Sequence, residues 1–371
     1  MAFMIIRRGA HMKEQKQQTT INEPKKHHYI PRLILKYFHD ENNQVLYWDI
    51  DKETLEKRNI KSLYMNKNMY RDEKNHPDNP TSIEKEFGLF EAEIADLLSK
   101  KMFGETVTIT RAELEKLRIF MGLLSFRSDL RMKQYKEKMF DRPTEILLNQ
   151  YQKDGDYEDL WKKELSALAK CRTYEDIKEN KDINQLIKSE FLLLIEGYYM
   201  TIIDARGGEF IMSDVYPTVE MYRRAPGVNS SMHEFYPISP TRMLLLNNIV
   251  FKKQVKERND PFLEPMIKTS KIGGQSLKEP RVKYSVNGLI HKPEDLFTYK
   301  PVKVYEPEIK YINSLILNES RIGIMFKNPE RVLGSVSSFN ANEKTIIKHT
   351  EFEKELQKLC DLQSSGADSK I

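Results

Sequence analysis

Cysteine is almost missing from this chain: two residues in 371, Cys171 and Cys360, far apart in sequence. That excludes a disulfide framework and any cysteine-based zinc spacing, and makes a reducing cytoplasm the expected home. Long apolar runs are missing too. The longest cluster, Phe191-Leu192-Leu193-Leu194-Ile195, falls far short of the roughly 18 residues of a membrane span and reads as core, so no membrane association is expected. Met1 to Met12 lacks the apolar stretch and small-residue cleavage site of a secretory leader. Within it, Gly9-Ala10-His11-Met12 reads as a cloning scar, which places the natural start at Met12 and takes all weight off His11. There is no phosphate-binding Gly-x-x-x-x-Gly-Lys loop, no Gly-x-Gly-x-x-Gly, no His-Glu-x-x-His and no internal repeat. Standard nucleotide hydrolysis and zinc hydrolysis are therefore not expected.

What is present is a globular composition, 39% hydrophobic and 31% charged, long enough at 371 residues to bury a sizeable core. Sixty Lys and Arg against 55 acidic residues give a net charge of +5. This is a mild bias towards anionic partners, short of the clustered basic face that announces nucleic-acid binding. The basic run Arg131 to Lys138 reads first as a solvated helix face.

Residues 1–26 are expected to be scar and flexible arm, 27–361 one domain, and 362–371 a disordered tail. Pro31 opens a short apolar-periodic helix through Leu33, Ile34, Leu35 and Phe38. Residues 44–50 and 55–60 read as a hairpin about Asp51-Lys52-Glu53-Thr54. A helical layer should span about 82–198. Ile83, Phe87, Phe90, Ile94, Leu97 and Leu98 recur at helical spacing, with Gly88 a weak point. Thr110-Arg-Ala-Glu113 is a capping box that should start a helix of roughly 30 residues towards Phe140, with Pro143 ending or restarting it. Helices near 143–152, 157–171 and 183–198 follow.

A β-rich part over about 200–326 begins with a hairpin, 201–205 and 209–213 joined at Gly207-Gly208. Further strands are expected at 236–238, 243–246 and 249–252, then a long irregular excursion over 255–303. Residues 306–318 and 342–361 should be helical, and 321–326 a strand. The fold class this describes is α+β: a predominantly helical centre packed with antiparallel β-hairpins from the N-terminal and C-terminal parts.

The chemistry concentrates at His27-His28-Tyr29-Ile30-Pro31-Arg32, where two of the eight histidines in the chain are adjacent. The segment before a proline tends to be extended, so neighbouring side chains alternate in direction. His28 is expected to point inward with Ile30, while His27 and Tyr29 point away. As a general base or acid His28 has the right type of side chain; the alternative is a histidine that pins the N-terminal segment to the core. Glu84 and Glu91 lie two turns apart on one helix face with Phe87 and Gly88 between them, the glycine leaving room for a close approach. They are either a metal or Arg-binding pair or the wet edge of the helix. Arg127 follows Leu123-Leu124-Ser125-Phe126 in an apolar-periodic helix, so it needs a carboxylate partner or a bound anion. Ser213 and Asp214 end a strand, a common position for a catalytic carboxylate and for an ordinary turn.

In this order the motifs resemble the bacterial domain of unknown function 4238 family. Its His-His-Tyr-Val-Pro signature is matched by His27 to Pro31, and its Ile-Glu with a second Glu seven residues on by Ile83-Glu84 and Glu91. Its helix arginine corresponds to Arg127 and its Phe-Ile-Thr-Ser-Asp-Asn-Pro to Phe210 to Asp214. Its Phe-Pro-Leu-Ser-Pro corresponds to Tyr236 to Pro240, and a late Asn to Asn313. After Asp214 this chain departs, with Val215-Tyr216-Pro217 where the family has Asn-Pro. The resemblance implies an accessory protein of the bacterial defence gene pool, and with these residues two expectations. The first is a nuclease-like effector, in phage defence or a toxin-like role, that acts on RNA or DNA. In it His28, Asp214 and Arg127 are catalytic, Arg127, Arg32 and Ser213 bind substrate, and a divalent metal at Glu84 and Glu91 is the cofactor. The second is a non-enzymatic sensor or protein-interaction component in which the same residues form a buried polar network.

Overall fold

The structure, a computed structural model, describes residues 26–223, 229–248, 270–272, 293–343 and 345–365. Residues 1–25 of the expected arm lie outside these residues, its last residue Lys26 being in a strand, and so do the strand candidate 249–252 and most of the expected excursion.

The chain enters through β1 (Lys26–His28), which pairs antiparallel with β4 (Met65–Lys67), His27 opposite Asn66 and His28 opposite Met65. Between them, Pro31 holds an extended conformation and leads into α1 (Arg32–Leu35), whose Leu33, Ile34 and Leu35 are buried. β2 (Gln44–Asp49) and β3 (Thr54–Asn59) form the expected hairpin, in register from Gln44 opposite Asn59 to Asp49 opposite Thr54. β4 lies between two left-handed residues, Tyr64 at φ 47° and Asn68 at φ 55°. Asparagine tolerates this conformation, but a buried tyrosine in it stores backbone strain.

The helical layer begins with α2 (Ser82–Lys101), which runs unbroken through Gly88 and buries all six apolar residues that the spacing marks. Each contributes about 1.5–3 kcal/mol, which outweighs a single glycine. Gly88 is exposed and a side chain there would meet nothing, so it provides no close approach. After β5 (Val107–Thr110), the capping box forms in full: the Thr110 hydroxyl accepts from Glu113 N–H while the Glu113 carboxylate accepts from Thr110 N–H. The helix it starts is shorter than expected. α3 (Arg111–Phe126) stops at Arg127, and Ser128 caps a new helix, α4 (Asp129–Lys136), by accepting from Arg131 N–H. A serine hydroxyl that satisfies a free amide favours a fresh start over continuation. α5 (Arg142–Tyr151), α6 (Tyr157–Leu168), a helix not foreseen, α7 (Tyr174–Glu179), and α8 (Gln185–Glu196) complete the layer.

The remaining strands are β6 (Tyr198–Ala205), β7 (Met212–Ser213), β8 (Thr218–Arg223), β9 (Asn229–Pro237), β10 (Arg242–Asn248), β11 (Ser270–Ile272), β12 (Leu296–Tyr299), β13 (Val302–Val304) and β14 (Gly323–Phe326). The hairpin expected at Gly207-Gly208 does not form: β6 pairs with β10 and, in parallel, with β13, whereas β7 pairs with β14. The stretch 293–303 carries β12 and most of β13 in place of the expected irregular chain. The sheets run β13-β6-β10-β9-β8, β3-β2-β14-β7, β11-β12-β5 and β1-β4. At the C-terminal end stand α9 (Glu306–Glu319), α10 (Pro329–Ala341) and α11 (Thr350–Ser364). The helix at 329–341 adds to the expected set, residues 342–343 and 345–349 are not helical, and α11 continues three residues into the expected tail.

The five-stranded sheet is covered on both faces. Met200, Ile202, Leu244 and Leu246 belong to the core shared with the helical layer, whereas Ile203, Met243 and Leu245 belong to a second core with α9, α10 and α11. Burial on both faces explains why Met243-Leu-Leu-Leu246 is continuously apolar instead of alternating. The architecture is α+β, as the sequence indicates. Among the described residues no helix is long and apolar enough to cross a membrane, and both cysteines are buried and unpaired.

Candidate functional site

Arg127 is the residue around which the first strand, α2 and the α3 end meet. As the C-terminal cap of α3 it is buried, and its guanidinium has three committed contacts. Nη1 lies 2.6 Å from Glu91 Oε1, Nη2 donates to the His28 carbonyl, and Nε donates to the Tyr70 hydroxyl at 3.2 Å. The ring of Phe87 lies 4.1 Å from the guanidinium carbon. Tyr70 in turn donates to the Arg127 carbonyl at 2.8 Å. A buried arginine so held is stabilised by charge, by hydrogen bonds and by aromatic faces together.

His27 completes this set. Its ring is fully buried, stacks on Tyr70 with centroids 5.4 Å apart and planes 6° from parallel, and its Nδ1 accepts from Tyr70 N–H at 2.8 Å. The expected orientation of the histidine pair is therefore corrected. His27 is the fully buried ring and His28 the half-buried one, while Tyr29 and Ile30 are both buried. Alternation along a strand decides only which side a residue faces; here the chain is covered on both sides, so facing away from one layer means facing into another.

His28 and Glu84 differ from their neighbours. His28 Nε2 and Glu84 Oε2 are buried atoms with no hydrogen-bond partner among the described residues, and so is Tyr216 Oη. All three lie within electrostatic reach of Arg127. Burial, with the charges of Arg32 and Arg127, pulls His28 down to about 4, so its imidazole is neutral at pH 7. Burial raises Glu84 to about 7 against the opposing pull of Arg127, with Glu91 adding to the rise. Burial likewise raises the Tyr216 hydroxyl, and Arg127 opposes it.

Asp214 is placed elsewhere. Its Oδ1 accepts from Arg321 N–H at 3.1 Å and Ile322 N–H at 3.0 Å, and burial raises its carboxyl above the usual range against those bonds. It thereby fastens the entry to β14, and it lines a cleft together with Ser125, Ser128, Tyr216 and Arg321. Among the described residues no hydrogen bond joins it to His28, although its charge reaches the neighbouring Tyr29. Ser213 is fully buried and spends its hydroxyl on a local turn with Val215 at 3.2 Å. Arg32 is exposed on α1, close enough for its charge to act on His28. Glu91 is an Arg127 partner, and no group of three or more His, Cys, Asp and Glu placed to hold a metal occurs among the described residues. The Glu84–Glu91 pair therefore has no third ligand of that kind.

Sequence reasoning missed Tyr70 and Tyr216. Tyr70 lies in a loop 43 residues from His27 and carries no local signal. Tyr216 had one: it stands within the departure from the family's Asp-Asn-Pro.

The fold and site define an α+β protein built about one buried, aromatic-bound arginine that joins its N-terminal strand to its helical layer. The family model described as "Protein of unknown function (DUF4238)" matches residues 26–330, and the chain belongs to that family. No curated protein and no solved structure matches it.

Proposed function

We propose that this protein is a phosphodiester-cleaving, nuclease-like enzyme whose reacting centre lies at Arg127, Glu84, His28 and Tyr216. The observation that carries the reading is the group of three unsatisfied buried atoms, His28 Nε2, Glu84 Oε2 and Tyr216 Oη, about one cation. Native proteins pair nearly all such atoms, and a cluster of exceptions around one charge is what a site completed by water or ligand would leave. Arg127 has five N–H donors, of which three are committed, leaving two for phosphate oxygens.

Glu84, near half-protonation at neutral pH, is the group matched to moving a proton in a hydrolysis. It takes the proton of the attacking water as the water oxygen bonds to phosphorus. The phosphorus–oxygen bond to the leaving group breaks, and that oxygen receives a proton in turn. The Tyr216 hydroxyl donates to an oxygen that gains charge and Arg127 offsets that charge, while neutral His28, whose other ring nitrogen faces the backbone of Ile60 and Lys61, presents Nε2 as an acceptor to the attacking water. A divalent metal would add Lewis-acid stabilisation of the same charge. A role in phage defence or a toxin-like role, as the family resemblance implies, is consistent with such an activity.

The test is incubation of purified protein with a panel of RNAs and DNAs, with and without Mg²⁺ or Mn²⁺. The expected result is cleavage by the parent, a loss of about 100-fold or more in Glu84→Gln and His28→Gln, and melting temperatures near the parent's. Absence of cleavage of every substrate by the parent, or full activity in both variants, overturns the reading. The second reading, a non-enzymatic protein whose polar set is a lock, is favoured by a different observation: His27, Tyr70, Glu91 and Arg127 are bonded to one another.

A further inference from the structure

The cleft beside Asp214 encloses about 710 Å³, within the range of small-ligand sites. Its walls come from the α3–α4 junction, the loop after β7, and the last residues of α9 with the segment that leads from it to β14, and they carry Ser125, Ser128, Asp214, Tyr216, Asn318 and Arg321. Two of these residues, Ser125 and Ser128, flank Arg127 in the chain, and a third, Tyr216, lies within that arginine's electrostatic reach. The cleft and the Arg127 centre are thus neighbours that share a tyrosine.

We infer that this cleft takes the ribose-bearing nucleoside unit of a ribonucleotide, so that the substrate class is RNA in preference to DNA. The inference rests on the proposed phosphodiester reading and adds what that reading leaves open. The wall chemistry suits a sugar more than a bare anion. Two carboxylates, Asp214 and Glu319, line the same cleft as one arginine, so phosphate alone meets at least as much repulsion as attraction. Carboxylates, amides and hydroxyls together are the groups that pair with vicinal sugar hydroxyls, and a carboxylate on the ribose 2′-hydroxyl is a recurring form of such recognition. The unpartnered Tyr216 hydroxyl supplies a buried polar atom that a ligand would satisfy. Arg321 is exposed, and no ion pair of its side chain is formed among the described residues. The backbone N–H bonds to Asp214 hold its segment in place before any ligand arrives. A site so fixed loses little freedom on binding.

The test is calorimetric titration of the full chain with AMP, 2′-deoxy-AMP and inorganic phosphate, repeated on Tyr216→Phe and Arg321→Ala. The expected result is saturable binding of AMP about tenfold or more tighter than 2′-deoxy-AMP, with phosphate alone binding more weakly than either. Both variants should weaken AMP by about fivefold or more while melting like the parent. Equal affinity for AMP and 2′-deoxy-AMP, phosphate binding as tight as AMP, no AMP binding, or AMP binding unchanged in both variants overturns the inference. The same preparations assayed on RNA and DNA separate the two proposals: cleavage that depends on Glu84 with no ribose preference in binding leaves the reaction standing and removes this site.

Discussion

Two sets of polar atoms surround Arg127, and they differ in what they leave undone. His27, Tyr70 and Glu91 are bonded to the arginine or to each other, through contacts between residues 36 to 57 apart in the chain. His28, Glu84 and Tyr216 lie within reach of the same charge, yet each keeps a buried atom without a partner among the described residues. The first set has the form of a fastening and the second that of a receptor. That adjacent residues His27 and His28 fall on opposite sides of this division shows that residue type and position in a motif do not decide which buried atoms find a partner.

The largest effect should follow from breaking the fastening at its centre. Arg127→Ala leaves the Glu91 carboxylate and the His28 carbonyl without their donor, and should cost about 3–5 kcal/mol, read as a shift of the denaturant midpoint. A cost near zero would mean that the first set is not a fastening. Next is His27→Ala, which removes the acceptor of the buried Tyr70 N–H and its stacking partner. About 2–3 kcal/mol should be lost, visible as a lower melting temperature.

Glu84→Gln sharpens the comparison through pH. The folded carboxyl titrates near 7 and the unfolded one near 4.5. Ionisation is therefore resisted by the fold, and parent stability should fall as pH rises from about 4.5 through about 7, by on the order of 3 kcal/mol. The variant should lack this decline when melting temperatures are compared across that window. His28 acts in the opposite sense: its folded value is lowered from 6.5 to about 4, so the stability of its neutral form is lost as pH falls through that interval. The smallest effect on stability belongs to His28→Gln at pH 7, less than about 1 kcal/mol. Should His28→Gln destabilise as much as His27→Ala in parallel denaturation curves, the division between the two sets would collapse.

Much of the fold was legible because it is written in local periods. The apolar stripe of α2 and the Thr110–Glu113 box are decided within one turn of chain, as is the hairpin at 44–59, and each formed. The breaks were less legible. The stop at Arg127 depends on Ser128 winning a backbone amide from a helix that could have continued, a competition too close for a pattern to settle. Strand pairing failed at Gly207 because β6 finds its partners in β10 and β13, far along the chain, and a turn signal says nothing of that. Within the site, the motif order picked out His28, Glu84, Glu91 and Arg127 as neighbours in space, while Asp214, marked by its strand end and the family motif, lines the adjoining cleft and bonds backbone amides there.

By itself, then, the sequence determined the α+β class, most of the helices, the need of Arg127 for a partner and the family. The tertiary structure alone decided that Glu91 is that partner, that Tyr70 bridges His27 to the arginine, that His27 and not His28 is the fully buried ring, and that Asp214 serves the cleft. The physical reason is range. Helix caps and apolar periods act over three or four residues and leave their mark in the chain, whereas hydrogen-bond partners and burial are assigned only when distant segments meet, and nothing local records which buried atom will be left without a bond.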